Sequence, residues 1–162
     1  MAKVYLALGS NVGDRRAYLK EAIQLLEDKV HIVEVSKAYE TKPWGYEQQD
    51  NFINMVISGK TELTPEQLLS FVKNVETKVG RIPRFKLGPR EMDIDIIFYD
   101  NLVYKEGQLQ IPHPGFCERD FVLMPLMDLD PNLVDPVSKK TVRQLYSKLP
   151  KNKLSILNIS AE

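Results

Sequence analysis

Lys86-Leu87-Gly88-Pro89-Arg90-Glu91-Met92-Asp93-Ile94-Asp95-Ile96-Ile97-Phe98-Tyr99 joins a basic turn to an acidic strand. From Met92 the pattern has period two. Met92, Ile94, Ile96 and Phe98 are predicted on one face of a strand, and Asp93, Asp95, Ile97 and Tyr99 on the other. The first face must be core. On the second, carboxylates at i and i+2 stand about 6.5–7 Å apart at Cβ, close enough to share metal ions and unfavourable without a counter-charge. Magnesium supplies such a charge and takes oxygen ligands at about 2.0–2.1 Å from one or two carboxylates, water and phosphate. The same pair can also simply face water on a half-solvated strand. Its context speaks for a ligand: Gly88-Pro89 is a turn signal, and Arg81, Arg84, Lys86 and Arg90 set positive charge beside the carboxylates. Cations next to an acidic, metal-competent pair suit a polyphosphate held from both sides, as phosphoryl transfer requires.

Upstream, Val4-Tyr5-Leu6-Ala7-Leu8 reads as a central strand ended by Gly9-Ser10-Asn11. Leu19, Ala22, Ile23 and Leu26 follow at helical spacing, with Asn11 or Asp14 as cap. The intervening Gly-rich loop lacks the lysine of a P-loop and is read as a structural turn. A second strand is predicted over 30–39, with His31 solvated at its start, and a third over 52–58, where Ile53, Met55 and Ile57 oppose Phe52, Asn54 and Val56. Asn54 beside an aromatic can read the edge of a heterocycle or serve as a satisfied structural amide. Between these strands, residues 41–50 carry Trp44 and Tyr46, either to close over a flat ligand or to tuck against the domain. Thr64-Pro65-Glu66-Gln67 starts a helix with a capping-box spacing, Leu68, Val72, Val75 and Val79 form its buried stripe, and Gly80 ends it.

The order to this point is β-α-β-β-α-β. It predicts an α+β fold: a ferredoxin-like core with a mainly antiparallel sheet, both helices packed on one face, and the other face free for a ligand. Asp93 and Asp95 would share that open face with Phe52 and Asn54. Extra C-terminal strands and helices follow: a strand pair over 102–104 and 108–111 turning near Glu106-Gly107, a helix over 118–129 kinked at Pro125, a capped helix over 141–149, and an edge strand over 154–159. In Ile111-Pro112-His113-Pro114 the prolines restrict the backbone around His113 and either aim its ring or leave it a bland surface histidine.

A chain of 162 residues fits one domain, 1–162. Its 22 basic and 22 acidic residues give a formal net charge of zero, which argues against a general binder of nucleic acid or anionic membrane. The single Cys117 excludes an intrachain disulfide and fits a reducing cytoplasm with a packing role for the thiol. The start of the chain is strand-like and lacks a signal-peptide pattern, and no apolar run approaches the roughly 20 residues of a membrane span. A soluble cytoplasmic protein is expected.

The chain resembles the hydroxymethyl-dihydropterin pyrophosphokinases of folate biosynthesis nearly end to end. The most specific match is a basic residue, any residue, Gly-Pro-Arg, two residues, then Asp-hydrophobic-Asp-hydrophobic-hydrophobic, met by residues 86–97. Supporting matches are Leu8-Gly9-Ser10-Asn11, Tyr39-Glu40-Thr41 with Pro43 and Gly45, Phe52-Ile53-Asn54, Gly80-Arg81, Pro112-His113-Pro114, and Arg119 with Phe121. The resemblance implies transfer of pyrophosphate from ATP to the pterin hydroxymethyl group, with release of AMP. It implies that Asp93 and Asp95 hold two Mg2+ ions on the ATP phosphates, and that Arg81 and Arg90, from a mobile loop, stabilise the transferring group. Asp95 would also help accept the hydroxyl proton. Phe52 and Phe121 would sandwich the pterin, Asn54 and the segment Thr41, Pro43 and Trp44 would read its edges, and Glu76, Ile96, His113 and Arg119, with the two loop arginines, would bind ATP. A monomer with ATP and the pterin as its only partners is expected. The chain departs from the family at Lys86-Leu87, where most members have Arg-Trp, and at Pro83, where another Arg is common. Loss of an aromatic lid contact is expected there, with Trp44 placed to compensate.

Two other readings start from the same residues. Nucleotidyl transferases also combine Gly-Ser with Asp-x-Asp, usually close together, whereas Ser10 and Asp93 are far apart here. A ferredoxin-like ligand-binding module would leave the arginine-rich turn without a purpose and would consume no ATP.

Overall fold

The computed structural model describes residues 1–43 and 45–160; the expectation for Trp44 lies outside them. The strands are β1 (Ala2–Ser10), β2 (Val30–Val35), β3 (Tyr39–Thr41), β4 (Phe52–Thr61), β5 (Asp93–Tyr99), β6 (Tyr104–Glu106), β7 (Leu109–Ile111) and β8 (Ile156–Ile159). The α-helices are α1 (Arg15–Leu26), α2 (Pro65–Val79), α3 (Asp120–Leu129) and α4 (Val142–Ser147). The main sheet runs β5-β1-β4-β3-β8, with β2 also paired to β4, and every pairing is antiparallel. This is the expected α+β, ferredoxin-like order, with β8 as the added edge strand.

Local chemistry fixes the helix ends. Asp14, rather than Asn11, caps α1 by accepting from the Ala17 amide at 3.1 Å. Thr64 and Gln67 form the predicted capping box on α2, and Gly80, at φ 117°, takes the left-handed turn that ends it. Thr141 and Gln144 form a second box on α4, which is shorter than expected.

The helical face of the sheet behaves as its period predicts. Val4, Leu6 and Leu8 of β1, Ile53, Met55 and Ile57 of β4, and Met92, Ile94 and Ile96 pack against Leu19, Ala22 and Leu26 of α1 and Leu68, Val72 and Val75 of α2. Three details differ. The predicted strand over 30–39 is interrupted: at Ser36 the amide donates to Val56 O and Oγ accepts from Val56 N, both at 2.9 Å, so a side chain replaces a ladder acceptor and β3 begins afterwards. The first hairpin strand starts at Tyr104 instead of residue 102. In β5 the pairing with β1 shifts after Ile96, and this bulge sends Phe98 to the face opposite Ile96, while Tyr99 joins the helical side.

The second face is not wholly free. Ile97 and Phe98 join Tyr5, Val56, Phe116, Val122, Leu123, Leu126, Val142 and Leu145 in a second core under α3 and α4. It covers one end of the sheet. The other end, where Gly9, Phe52, Asn54, Asp93 and Asp95 lie, lines an open cleft. The β5 bulge therefore separates a strand half that carries chemistry from a half that carries packing.

Candidate active site

Asp93 pairs with Gly9 and Asp95 with Ala7 across β1, so the period-two pattern places both carboxylates at the cleft floor. Arg81 and Arg90 converge on Asp93: Arg81 Nη1 lies 3.3 Å from Oδ1 and Arg90 Nη1 3.5 Å from Oδ2. Arg81 reaches there because the turn at Gly80 folds the chain back. Its Nη1 also donates to Glu76 Oε1 at 2.9 Å, while Glu76 Oε2 accepts from the Ile94 amide at 2.7 Å. Glu76 is thus a buried strut between α2, the loop and β5; burial raises its pKa despite Lys73 nearby.

Burial, with the Asp93 carboxylate beside it, pushes Asp95 up to about 7. His113 Nε2 stands 3.8 Å from Asp95 Oδ2, too far for a hydrogen bond. Burial and the Arg119 charge pull His113 down to about 4, so the ring is neutral at pH 7 and the contact is proximity, not an ion pair. The charges of Lys73 and Arg119 favour the ionised form of Asp95, but burial and Asp93 outweigh them. Among the described residues no three His, Cys, Asp or Glu side chains converge into a metal cage. A cation here would draw its other ligands from phosphate and water, the usual arrangement for magnesium.

The neighbouring end of the cleft is aromatic and amide. Phe52, Asn54, Lys42, Leu87, Arg119 and Phe121 line it. Arg90 lies over the Phe52 ring at 5.1 Å and Arg119 over Phe121 at 5.9 Å, so each ring faces a guanidinium. Asn54 Nδ2 donates to Thr41 Oγ1 at 2.7 Å. The amide can sit there because position 9 is glycine: a Cβ at Gly9 would stand 2.4 Å from Asn54 Oδ1.

Other expected residues stand at the margin. Pro43 is half-buried beside Lys42 and is not among the described residues that line the cleft. The Ile96 side chain packs in the helical core, which leaves only its backbone for a ligand. Arg84 does not lend its charge to the carboxylate pair, because Nη1 and Nη2 grip Glu91 at 2.8 and 2.7 Å. Ser10 is fully buried and its Oγ is unpartnered, which removes the hydroxyl a nucleotidyl-transfer reading would use.

Sequence reasoning offered Asn11 as a helix cap and in a family match, and missed both its tie to the second loop and Gln49. Asn11 Oδ1 accepts from the Arg90 amide at 2.8 Å, and Nδ2 donates to Gln49 Oε1 at 2.7 Å and to Asp50 O at 3.0 Å. Gln49 Nε2 donates to Leu87 O at 2.8 Å and to Tyr46 O at 2.6 Å. The two loops flanking the cleft, 42–51 and 80–92, are tied through these amides. Leu87, at φ 62°, packs so tightly on Gly45 that a Cβ there would meet Leu87 Cδ1 at 2.6 Å. Tyr46 and Phe85, one from each loop, also meet edge to face at 4.9 Å. The signal available was an amide in each turn segment, Asn11 spare once Asp14 caps α1 and Gln49 with no assigned partner.

The profile of the family described as 7,8-dihydro-6-hydroxymethylpterin-pyrophosphokinase (HPPK) matches residues 5–131. The 2-amino-4-hydroxy-6-hydroxymethyldihydropteridine pyrophosphokinase of Aquifex aeolicus is 48% identical over 144 residues, covering 89% of this chain and 90% of the relative. The Bacillus subtilis protein of the same name is 43% identical over 127 residues, covering 77% and 76%. Folic acid synthesis protein FOL1 of Dictyostelium discoideum is 43% identical over 147 residues, 91% of this chain and 22% of that longer protein. Among solved structures, Plasmodium falciparum HPPK-DHPS wild type with STZ-DHP superposes with TM-score 0.75 at 18% identity, covering 91% of this chain and 43% of that one. The chain spans less than half of such structures, and at that identity they speak for the fold alone. The antiparallel sheet, with a carboxylate pair and arginines at its uncovered end, defines a transferase of phosphoryl groups. More narrowly, the chain belongs to the 7,8-dihydro-6-hydroxymethylpterin-pyrophosphokinase family.

Proposed function

We propose that this chain, acting as one domain over residues 1–162, transfers pyrophosphate from ATP to 6-hydroxymethyl-7,8-dihydropterin in folate synthesis, in the cleft between the loops 42–51 and 80–92. The observation that carries the reading is the meeting of Asp93, Asp95, Arg81 and Arg90 with Phe52, Asn54 and Phe121 at the uncovered end of the sheet, in a chain of this family. The pterin hydroxyl oxygen attacks the β-phosphorus in line, the bond from that phosphorus to the α-phosphate bridging oxygen breaks, AMP leaves with the electron pair, and the hydroxyl proton is released.

Phe52 and Phe121 stack on the pterin, while Asn54, Thr41 and the segment through Pro43 and Trp44 read its edges. This orients the hydroxymethyl group toward the carboxylates. Arg81 and Arg90, already drawn to Asp93, stabilise charge on the transferring phosphates; Arg119 and His113 bind ATP beside them, and Glu76 holds Arg81 in place. A neutral His113 serves as a hydrogen-bonding group there. The side chains of Asp93 and Asp95 would hold two Mg2+ ions, which the unfavourable burial of Asp95 beside Asp93 fits. When bound, such ions neutralise the phosphates and lower the barrier to attack. Asp95 takes part in accepting the hydroxyl proton through its position. The proposed site calls for no residue from a second copy, so the monomer is the proposed active unit; the half-buried, unpaired Cys117 fits the cytoplasm.

Product analysis tests this reading. With magnesium, ATP and the pterin, the protein is expected to give AMP and pterin pyrophosphate. Asp95→Ala should abolish turnover and Arg90→Ala should lower kcat by about 10²-fold or more. ADP as product, or unaltered turnover in Asp95→Ala, would overturn it.

A further inference from the structure

We propose that Asp120 is a positioning residue for the pterin end of the cleft, acting through Ser155 and the start of β8. Asp120 opens α3 between Arg119 and Phe121, both of which line the cleft, yet its own carboxylate turns away and is 1% exposed. Its partners lie 35 and 36 residues further on. Oδ2 accepts from the Ser155 amide at 2.6 Å and the Ile156 amide at 3.0 Å, and Oδ1 accepts from Ser155 Oγ at 2.5 Å. A buried carboxylate is costly without such donors, and three of them fix it and the segment that supplies them.

That segment leads back to the cleft. Ser155 O accepts from the Lys42 amide at 2.9 Å, and Ile156 pairs with Thr41. Thr41 Oγ1 receives the Asn54 amide, and Lys42 lines the cleft. Strand β3 has only three residues, so its end depends on what its neighbours hold. Both ends of the relay therefore meet the same ligand space. The wall carrying Phe121 and the wall carrying Thr41 and Lys42 are set apart by one carboxylate–serine clamp, built from the C-terminal part of the chain. A clamp serving stability alone has no need to join two walls of one cleft. This inference rests on the reading of that end as the pterin site.

The chemistry supplies its own control. Asp120→Asn can keep all three contacts: the amide oxygen accepts the two backbone N–H groups, and the amide NH2 donates to Ser155 Oγ. Asp120→Ala loses all three. Calorimetric titrations of the full chain with hydroxymethyl-dihydropterin and with a non-hydrolysable ATP analogue, together with amide exchange at Lys42, decide the matter. Asp120→Ala is expected to weaken pterin binding at least tenfold, to leave nucleotide affinity within twofold, and to speed exchange at Lys42; Asp120→Asn should stay within threefold on all counts. Unchanged pterin affinity in Asp120→Ala overturns the proposal. So does weakened affinity with Lys42 exchange unaltered, which would trace the effect to the adjacent Phe121 instead. If Asp120→Ala does not fold, Ser155→Ala decides: it keeps the backbone bonds and loses the hydroxyl one, and pterin binding should fall about threefold, whereas no change overturns the clamp. Asn54→Ala separates the two failures. Loss of pterin binding in Asn54→Ala with none in Asp120→Ala removes the clamp and leaves the site reading; no loss in either removes both.

Discussion

Gly9 shows how much one absent side chain can decide. Its missing Cβ gives the Asn54 amide room to reach Thr41, and nothing else in the strand requires glycine there. Gly9→Ala should displace the amide and lower pterin affinity tenfold or more in a calorimetric titration, while costing about 1–3 kcal/mol of stability from overpacking. Arg84 illustrates the opposite, a charge that looks functional and is structural. It holds the Glu91 carboxyl down at about 2, and that carboxylate is 5% exposed with the Ile82 amide as a further donor. Arg84→Ala strands this carboxylate and should lower the midpoint of urea denaturation. The Arg84→Ala, Glu91→Ala pair should cost less than the sum of the single changes. At this scale the sequence made the carboxylate pair, Phe52 and Asn54 legible through strand alternation, and Arg90 through the basic turn that precedes the acidic strand. Residue pattern alone could not separate Arg81 from Arg84; only the family resemblance singled out Arg81. Both lie in one basic turn, and which one turns toward Asp93 depends on the left-handed residue at Gly80 and on Glu76 in the last turn of α2.

Elements formed as their patterns dictate wherever the signal was local: capping boxes on α2 and α4, alternation in β1 and β4, the edge strand β8. They departed where a partner intervened. The break at Ser36 and the bulge after Ile96 both arise from pairing with a neighbouring strand, which no single-strand pattern contains. The coupling of the two cleft loops was likewise hidden, since Asn11, Gln49 and Leu87 are distant in sequence and meet only in space. Gln49→Ala removes the bonds to Leu87, Tyr46 and Asn11 from the more exposed member of this relay. It should lower kcat/KM about tenfold or more by leaving the loop of Arg90 less well placed, with a stability change near 1 kcal/mol, measured by steady-state kinetics and thermal melting. Tyr39 anchors β3 by donating to Asp128 Oδ2 at 2.6 Å. Burial and that carboxylate raise its pKa above the ordinary 10.0. The contribution of this bond is complete below pH 10 and is lost as pH rises further, so Tyr39→Phe should be less stable than the parent at neutral pH and converge with it in strong alkali.

In the whole molecule, two cores share one sheet. Leu68 lies in the core under α1 and α2, Leu123 in the core under α3 and α4, and both are fully buried. Because β1, β4 and β5 contribute side chains to both, the cores should unfold together. Leu68→Ala and Leu123→Ala are each expected to cost about 2–5 kcal/mol and to shift a single transition seen equally by far-ultraviolet dichroism and tyrosine fluorescence. Two separate transitions would mean that the C-terminal layer is an independent unit. The overall order of strands was legible because each apolar period had a length and a turn to bound it. The covering of half the second face was not, because the apolar surface of α3 could have found either side of the sheet.

The bulge after Ile96 also says where this strand can change length. Beyond it, loss of the extra residue, Ile97, would restore plain alternation, keep Phe98 and Tyr99 in the greasy environments they already occupy, and leave Asp93 and Asp95 where they are. Before it, loss of one residue would turn the carboxylates into the oil beneath the helices. Drift in the number of residues is therefore survivable on one side of a single irregularity and ruinous on the other, and the bulge acts as a firebreak that shields the chemistry from insertions and deletions downstream.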